Sequence, residues 1–524
     1  MKGYQLVGGG NRRMTVWNKI KAFIEKNEVL ILLVLMVVVL RIPSLFEPNR
    51  YADEDIYLTL GQGLKKGLVF YRDIHDNKPP LLYVMAAVAG NVKVFRFILM
   101  IWNALNVVLI WKLAEKLIKK RWGIILSVFV FSVLSSIPLI EGNIANGEIF
   151  MIMPVTAAVL LLVDTLEKEK KRKKKVKVDN TWWKYLLVGV LMALGFLFKV
   201  PVMFELFTIL VWLVAYKTKN LKNFVQEIFR KRTWLIVGGF LGPILLTIIY
   251  YVSKGAGESY LRSALGQNIG YLSSWEGSQP FYMSGLFARG MIMMLGILVV
   301  WLLRKKLRAE VGLVFLWFVG ALFGSQLSGR PYPHYFIEIL PPAVLLIGMM
   351  VKKKEWLEKI VGIGLLGLVV LSVIGYRFWY YKSLPYYKNF ASYILGNKDR
   401  NEFYEFWGKG VTRNYEVANY IQDITEENER IFVWGTEPAI YVLSDRLPVG
   451  KYTVAYHISD FEAKDKTMEL LEKEMPRVIV NMVGEKIRFD EFHAWKDSYY
   501  GLAKIVGDAE VYIKIDGEEM KREK

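Results

Sequence analysis

Apolar residues in this chain come in long uninterrupted blocks rather than in amphipathic stripes. Runs such as Val29 to Phe46, Thr233 to Val252, Leu286 to Leu303 and Ile360 to Tyr376 meet the roughly 20 apolar residues that a membrane-crossing helix needs. They recur to residue 376 and then stop. Lys and Arg cluster between them, at Arg12 to Lys26, Lys112 to Arg121, Lys168 to Lys177, Lys217 to Arg232, Arg304 to Arg308 and Lys352 to Lys359. Basic loops stay on the cytoplasmic side, so all six are expected inside. The intervening segments Glu47 to Pro80, Glu141 to Glu148, the Phe198 to Pro201 corner, Ser253 to Ser284 and Ser328 to His334 are expected outside. If Leu81 to Gly90 crossed, it would reverse every later loop. A segment of about ten residues reaches only about 15 Å, half a hydrocarbon core, and is expected to form a short non-crossing helix. The pattern therefore predicts an α-helical polytopic membrane protein with about 11 transmembrane helices, N-terminus in and C-terminus out.

Three regions follow: a cytoplasmic segment 1–27, a transmembrane region 28–376 whose first outer loop is 47–92, and a soluble extracytoplasmic domain 377–524. The first apolar run is longer than a typical secretory h-region and no small-residue cleavage pattern follows it, so it is expected to be retained as the first span. Beyond Tyr376, the segments Arg430 to Trp434, Ala439 to Leu443, Arg477 to Asn481 and Glu510 to Ile515 have the β-branched and aromatic character of strands flanked by helices, which predicts a small α/β domain.

Composition sharpens the picture in three places. With 54% hydrophobic residues in 524, the chain needs a bilayer as part of its solvent. The net charge of +20 lies in short interhelical clusters rather than on one face, so it reads as a topology signal and not as a nucleic-acid surface. Zero cysteines exclude disulfides, thiolate metal ligands and cysteine nucleophiles.

The chemistry-bearing residues concentrate in the outer segments. Directly after the first run comes Tyr51-Ala52-Asp53-Glu54-Asp55-Ile56-Tyr57. On a helix Asp53 and Asp55 point about 200° apart, so they do not share a face; solvated acids at a helix start are the structural alternative. The same segment continues Tyr71-Arg72-Asp73-Ile74-His75-Asp76-Asn77-Lys78-Pro79-Pro80-Leu81-Leu82-Tyr83. Lys199 stands alone between two apolar runs, a costly place unless it is paired or snorkels to the interface.

An acidic pair after the first span followed by Lys78-Pro79-Pro80-Leu81-x-Tyr83 resembles the GT-C glycosyltransferases of family 39, which include protein O-mannosyltransferases and the lipid A aminoarabinose transferase. Ile144-Ala145-Asn146-Gly147-Glu148, Gly195-Phe196-Leu197-Phe198-Lys199-Val200-Pro201 and Gly329-Arg330-Pro331-Tyr332-Pro333-His334-Tyr335-Phe336 extend the resemblance to about residue 350. It implies an inverting transfer of a sugar from a polyprenyl-phosphate donor to an acceptor lipid, protein or polysaccharide at the extracytoplasmic face of the plasma membrane, with membrane lipids as the only other partner.

By this resemblance Asp53, with Glu54 beside it, is catalytic, Asp53 being the general base. Lys78, Lys199 and Arg330 hold the carrier phosphate. Arg72, Tyr57, Tyr83, Glu148, His334 and Tyr335 surround donor and acceptor, Glu148 alternatively capping its helix. The aminoarabinose transferases carry Glu before Lys-Pro-Pro where this chain has Asn77, and Asp73 or Asp76 would have to substitute. No cofactor is expected: Asp53-Glu54-Asp55 spells a metal-binding Asp-x-Asp, but a monophosphate donor needs a metal less, and four histidines with no His-Glu-x-x-His support no metal site. A lipid-linked sugar transporter or flippase, or a ligase or polymerase using a lipid-diphosphate donor, is the alternative; a transporter is expected to show inverted repeats or broken helices, and neither is visible in the sequence.

Overall fold

The computed structural model describes residues 16–172, 181–216, 218, 221–266, 285–351 and 356–515. Parts of the basic clusters (12–15, 173–177, 217, 219–220 and 352–355) and of the segment Ser253 to Ser284 (267–284) lie outside the described residues.

The chain is mainly helical. Among the described residues, seven helices are long and apolar enough to cross a membrane: Ile24–Leu45, Val92–Leu117, Gly147–Lys170, Lys231–Ser253, Gly285–Leu303, Pro333–Met350 and Trp356–Gly375. Arg121–Leu134, Trp182–Phe198, Val202–Ala215 and Ala309–Ser325 are apolar but shorter. In the order of the chain, the helices used below are α1 Val16–Arg41, α2 Ala52–Lys65, α3 Leu81–Ala89, α4 Val92–Leu117, α5 Arg121–Leu134, α6 Gly147–Arg172, α7 Trp182–Phe198, α8 Val202–Ala215, α9 Leu221–Ile228, α10 Lys231–Ser253, α11 Gly285–Leu303, α12 Ala309–Ser325, α13 Phe336–Met350 and α14 Trp356–Gly375. Burial separates centre from rim. The apolar window of Pro333–Met350 is 78% buried and that of Gly285–Leu303 only 11%, so the second presents apolar side chains nearly all round, as a lipid-facing helix does. Small residues set the closest crossing: a Cβ on Gly189 of α7 would lie 2.0 Å from the Ile236 carbonyl of α10, the backbone-to-backbone contact typical of membrane helix pairs.

Leu81 to Gly90 forms the short helix that the charge pattern called for. Gly90 stops α3 in the left-handed region at φ 74°, and Asn91 caps α4 by accepting the Val94 N–H at 2.9 Å. Gly61 lets α2 lie against α3, because a Cβ there would be 2.6 Å from the Ala87 nitrogen.

After α14 the chain builds a four-stranded sheet from β1 Phe432–Trp434, β2 Val478–Met482, β3 Tyr500–Val506 and β4 Ala509–Lys514. The order is β1-β2-β4-β3, with β1 parallel to β2 and the other pairings antiparallel. Alternating side chains feed two apolar layers: Phe432, Trp434 and Ile479 on one face, Val433, Val480 and Val511 on the other. Ala439 to Leu443 is not the strand its β-branched composition suggested. It is a helix, Ala439–Ser444, started by Pro438 and buried on nearly every side, a case that periodicity cannot separate from a buried strand. β3 escaped prediction because Gly501, Ala503 and Lys504 break the alternation, and the pairing is irregular between Leu502 and Lys504.

The sheet domain is seated on the segment between α1 and α4. Gln62 donates to the Val442 carbonyl at 3.1 Å, Lys66 to the Asp445 carbonyl at 2.8 Å, and the His75 backbone N–H to the Lys451 carbonyl at 2.9 Å.

One buried ion cluster ties α2 to α4. Arg96 of α4, fully buried, pairs with Glu54, donates to the Ser44 carbonyl at 3.2 Å and lies 3.3 Å from Glu47. Removing one partner from a buried network leaves uncompensated charge, at a cost of about 3–5 kcal/mol. Arg96→Met is therefore expected to lower the thermal midpoint in detergent sharply; a midpoint unchanged from the parent protein would contradict this reading of the cluster.

Candidate active site

The site is built first from the start of α2. Tyr51 is extended and the helix begins at Ala52, so three successive acids leave the first turn at about 100° intervals and meet three environments. Glu54 is buried on Arg96 and also accepts the Ala145 N–H at 2.7 Å. Asp55 is buried and accepts from Asn49 at 2.5 Å. Asp53 alone keeps an accessible side chain, 33% exposed, with Lys78 Nζ 3.8 Å away and the Tyr57 hydroxyl donating to it at 3.1 Å.

Lys78 comes from the turn before α3, where Pro79 and Pro80 end the extended chain and start the helix. Its ammonium lies 5.0 Å over the Tyr57 ring and 3.8 Å from buried Asp76. Asp76 accepts the Tyr83 hydroxyl at 2.7 Å and the Asn77 N–H at 2.7 Å. Burial opposes its ionisation, yet Lys78 and these donors hold it below the usual carboxylate range. His457 from the sheet domain reaches in from the other side, its Nε2 3.9 Å from Asp76. Burial drives the His75 imidazole down to about 3 and depresses that of His457, so both are neutral neighbours.

The second wall is the corner between α7 and α8. The helix stops at Phe198, Lys199 is extended, and Pro201 starts α8. Lys199 pairs with buried Glu148, at the start of α6, and its ammonium lies 4.3 Å over the Tyr335 ring. His334 bridges two acids, bonded to Glu141 and 3.5 Å from Glu148; Tyr51 donates to the same Glu141 at 2.9 Å. The two walls adjoin: a Cβ on Gly147 would be 3.7 Å from both Leu82 and Lys199. Burial, followed by the charges of Asp53 and Asp76, holds the Tyr57 phenol well above its ordinary value, and Glu148 adds to the effect. Burial and the carboxylates of Glu141 and Asp53 do the same for Tyr51. Both phenols therefore stay neutral hydrogen-bond donors.

Of the expected residues, Asp53, Tyr57, Lys78, Tyr83, Glu148, Lys199, His334 and Tyr335 line these two walls. Two are placed elsewhere. Glu54 is consumed by Arg96, because its position on α2 faces α4 rather than solvent. Arg72 turns away: its half-exposed guanidinium pairs with Asp73 at 2.7 Å and donates to the Lys254 carbonyl at 2.9 Å. That pairing also takes up Asp73, so Asp76 is the acid that accompanies Lys78. Arg330 follows Gly329, at φ 68°, and its N–H meets Ser328 Oγ at 3.3 Å. Tyr51, Glu141 and His457 join the cluster without having been singled out. Tyr51 and Glu141 stood inside segments already marked as functional, whereas His457 is brought in by the tertiary fold alone. Among the described residues, no group of three or more histidines and acids is arranged to hold a metal ion.

The family model for dolichyl-phosphate-mannose-protein mannosyltransferase matches residues 77–237. No curated protein matches the sequence. The crystal structure of ArnT from Cupriavidus metallidurans bound to undecaprenyl phosphate aligns with a TM-score of 0.57 at 12% identity, over 94% of this chain and 99% of that one. The same protein in its apo state gives 0.55 at 12% identity, over 94% and 98%. The archaeal oligosaccharyltransferase AglB from Archaeoglobus fulgidus, in complex with an inhibitory peptide and a dolichol-phosphate, gives 0.47 at 13% identity, over 96% and 75%.

Asp55 supplies a test of the α2 register. Burial, with Glu54 adding to it, raises its carboxyl to about 8 against the opposing Asn49 bond. A raised folded-state value means that folding takes up a proton, so this group subtracts stability increasingly as pH rises from its unfolded value near 4 toward 8. Asp55→Asn removes that penalty. The variant is expected to gain thermal stability over the parent progressively between about pH 5 and pH 8, measured in detergent; a constant difference across this range would contradict the assignment.

With the ArnT fold along nearly its whole length and the mannosyltransferase match over residues 77–237, the chain is similar to the GT-C membrane glycosyltransferases.

Proposed function

We propose that this protein is an inverting glycosyltransferase that moves a sugar from a polyprenyl-phosphate donor to an acceptor hydroxyl at the extracytoplasmic face of the plasma membrane. The observation that carries the reading is the pairing of one accessible carboxylate, Asp53, with Lys78, 3.8 Å away at the edge of the apolar bundle, beside the Lys199 corner. Asp53 takes the proton of the acceptor hydroxyl, and the acceptor oxygen forms the new bond to the anomeric carbon. The bond from that carbon to the phosphate oxygen breaks, its electron pair leaving with the lipid phosphate. Lys78 and Lys199 act as the fixed cations that stabilise that developing charge, with Arg330 a third candidate. Their side chains are 24% and 17% exposed, enough for a ligand to reach them. Tyr57, Tyr83, Glu148, His334 and Tyr335 bind donor and acceptor, and the neutral phenols suit sugar hydroxyls. The likeness to ArnT, solved with undecaprenyl phosphate, and the mannosyltransferase match support this donor class. In this reading all eleven apolar helices cross, 28–376 is the catalytic region, and 377–524 lies outside the cell membrane.

Two measurements test it. Asp53→Asn keeps the shape and removes the basicity, so transfer from a polyprenyl-phosphate sugar is expected to fall about 10²- to 10⁴-fold with folding intact. Lys78→Ala and Lys199→Ala are expected to raise the donor KM strongly. Full activity in all three variants would remove the mechanism. For the orientation, a reporter fused after Arg121 is expected to read cytoplasm and one after Tyr381 the opposite side; an outside signal at Arg121 would overturn the eleven-span arrangement.

A further inference from the structure

At the end of the bundle away from the Lys199 corner, three helices leave room between them. α8 starts at that corner and runs 14 residues to Ala215, about 20 Å at 1.5 Å per residue. Its far end meets the end of α11 and the start of α12 around a cavity of about 220 Å³. Val211, Ile297, Val300 and Leu316 give it apolar walls, with Trp301 and Arg304 at its edge. Trp212 is fixed beside it, its indole N–H on the Ala309 carbonyl at 2.9 Å and its ring stacked on Tyr216 at 4.6 Å. Gly312 of α12 borders the space: a Cβ there would meet Trp212 at 3.5 Å and Val300 at 3.8 Å, ordinary contact distances.

One rim of this cavity is basic. Arg308 is neutralised by Glu358 of α14, which its guanidinium meets at 2.8 to 3.2 Å. Arg304, Lys305 and Lys306, in the same turn, form no ion pair among the described residues. Arg304 donates to the Trp301 carbonyl at 2.6 Å and lies 3.9 Å over the Trp301 ring. Phe224 of α9 packs edge-on against the same ring at 5.2 Å, while Val225 and Phe229 are 46% and 69% exposed. Cations beside exposed apolar and aromatic side chains are the mixture found at headgroup depth. An arginine stacked on an interfacial tryptophan is ordinarily an anchor and nothing more. That reading leaves the cavity unexplained. Packed interiors rarely keep voids larger than a water, and an apolar space of roughly 150 Å³ already takes a benzene-sized guest.

We propose that this cavity binds an anionic phospholipid of the surrounding bilayer, its phosphate on Arg304 with Lys305 and Lys306 beside it, and part of one acyl chain in the apolar space between α8, α11 and α12. A guanidinium presents paired donors to phosphate oxygens, and basic pockets between membrane helices suit lipid headgroups. The wall formed by α11 belongs to a helix whose apolar window is only 11% buried, so a lipid reaches the site from the bilayer itself. A zwitterionic lipid would fill the same space but leave the three cations without a net counter-charge. The site lies at the opposite end of α8 from the Lys199 corner and does not rest on the activity proposed above.

The test uses the full chain in detergent, stripped of lipid. In native mass spectrometry, phosphatidylglycerol is expected to give one saturable adduct and to bind at least about tenfold more tightly than phosphatidylcholine, the effect of one added charge-assisted contact. Arg304→Gln removes the charge and is expected to erase that preference. Gly312→Leu and Ile297→Phe fill the cavity and are expected to remove the adduct itself, together with the rise in thermal midpoint that phosphatidylglycerol gives the parent protein. Ile297→Phe, on the lipid-facing helix, carries this arm if Gly312→Leu fails to fold. Equal affinity for the two phospholipids, or a preference that survives Arg304→Gln, overturns the proposal, as does an adduct unchanged in the cavity-filling variants. Displacement of the adduct by equimolar polyprenyl phosphate would assign the site to that lipid and overturn it too. Sugar transfer enters none of these readings, so a failure here is distinguishable from a failure of the proposed activity.

Discussion

A buried arginine organises the ligand-handling end of this molecule. Arg96 enters the bundle from α4 with no access to solvent, and its charge has to be matched within the packed interior. Glu54 and Glu47 do this, and Glu47 is itself held below its ordinary range by Arg50 and Arg96 against the effect of burial. Tyr386 and Asn143 complete the shell around Glu47 at 2.6 and 2.9 Å. Once Glu54 is committed to Arg96, the rotation of α2 is set. Asp55 must turn toward Asn49 and Asp53 toward Lys78. One ion cluster thereby decides which of three adjacent acids stays accessible.

The same logic governs the second wall. Glu141, His334, Glu148 and Lys199 alternate in character along one continuous chain of contacts, with Tyr51 joining at Glu141 and Tyr335 under Lys199. Each acid has a partner, so the wall is satisfied at rest and stays polar at the edge of an apolar bundle. Lys199 is thus paired, which explains how a lone lysine is tolerated between two hydrophobic helices. The seat of the sheet domain over His75 and Asp76 closes the remaining side and brings His457 within reach of Lys78 and Asp53.

Much of this was legible in the sequence, for reasons that can be located. Long apolar blocks carry their own signal, and the short α3 followed from charge and length together, since a crossing there would have reversed every later basic loop and its ten residues are too few to span. Lys199 could be singled out because a lone charge between two apolar runs is expensive and therefore conspicuous, whereas Asp53 and Lys78 were marked by the resemblance of their motifs to family 39. The direction in which a side chain points was much harder to read. Three acids in a row give no hint of which is buried until Arg96 is known to lie opposite, and Arg72 looked like a ligand-binding cation because its partner Asp73 is also its chain neighbour. The strand assigned to Ala439 to Leu443 failed where burial on all sides erases periodicity. His457 was out of reach because only the docking of the sheet domain brings it to Asp76.

The central claim is that the Asp53, Lys78 and Lys199 surface receives a lipid-linked phosphate. The most direct measurement is an experimental structure of the full chain in a lipid nanodisc with a polyprenyl phosphate added. Density for the phosphate is expected between the Lys78 and Lys199 ammonium groups, with the prenyl chain running away from it along the apolar bundle and the Asp53 carboxylate open to the same space. A phosphate bound at another face of the bundle, away from Lys78 and Lys199, would contradict it.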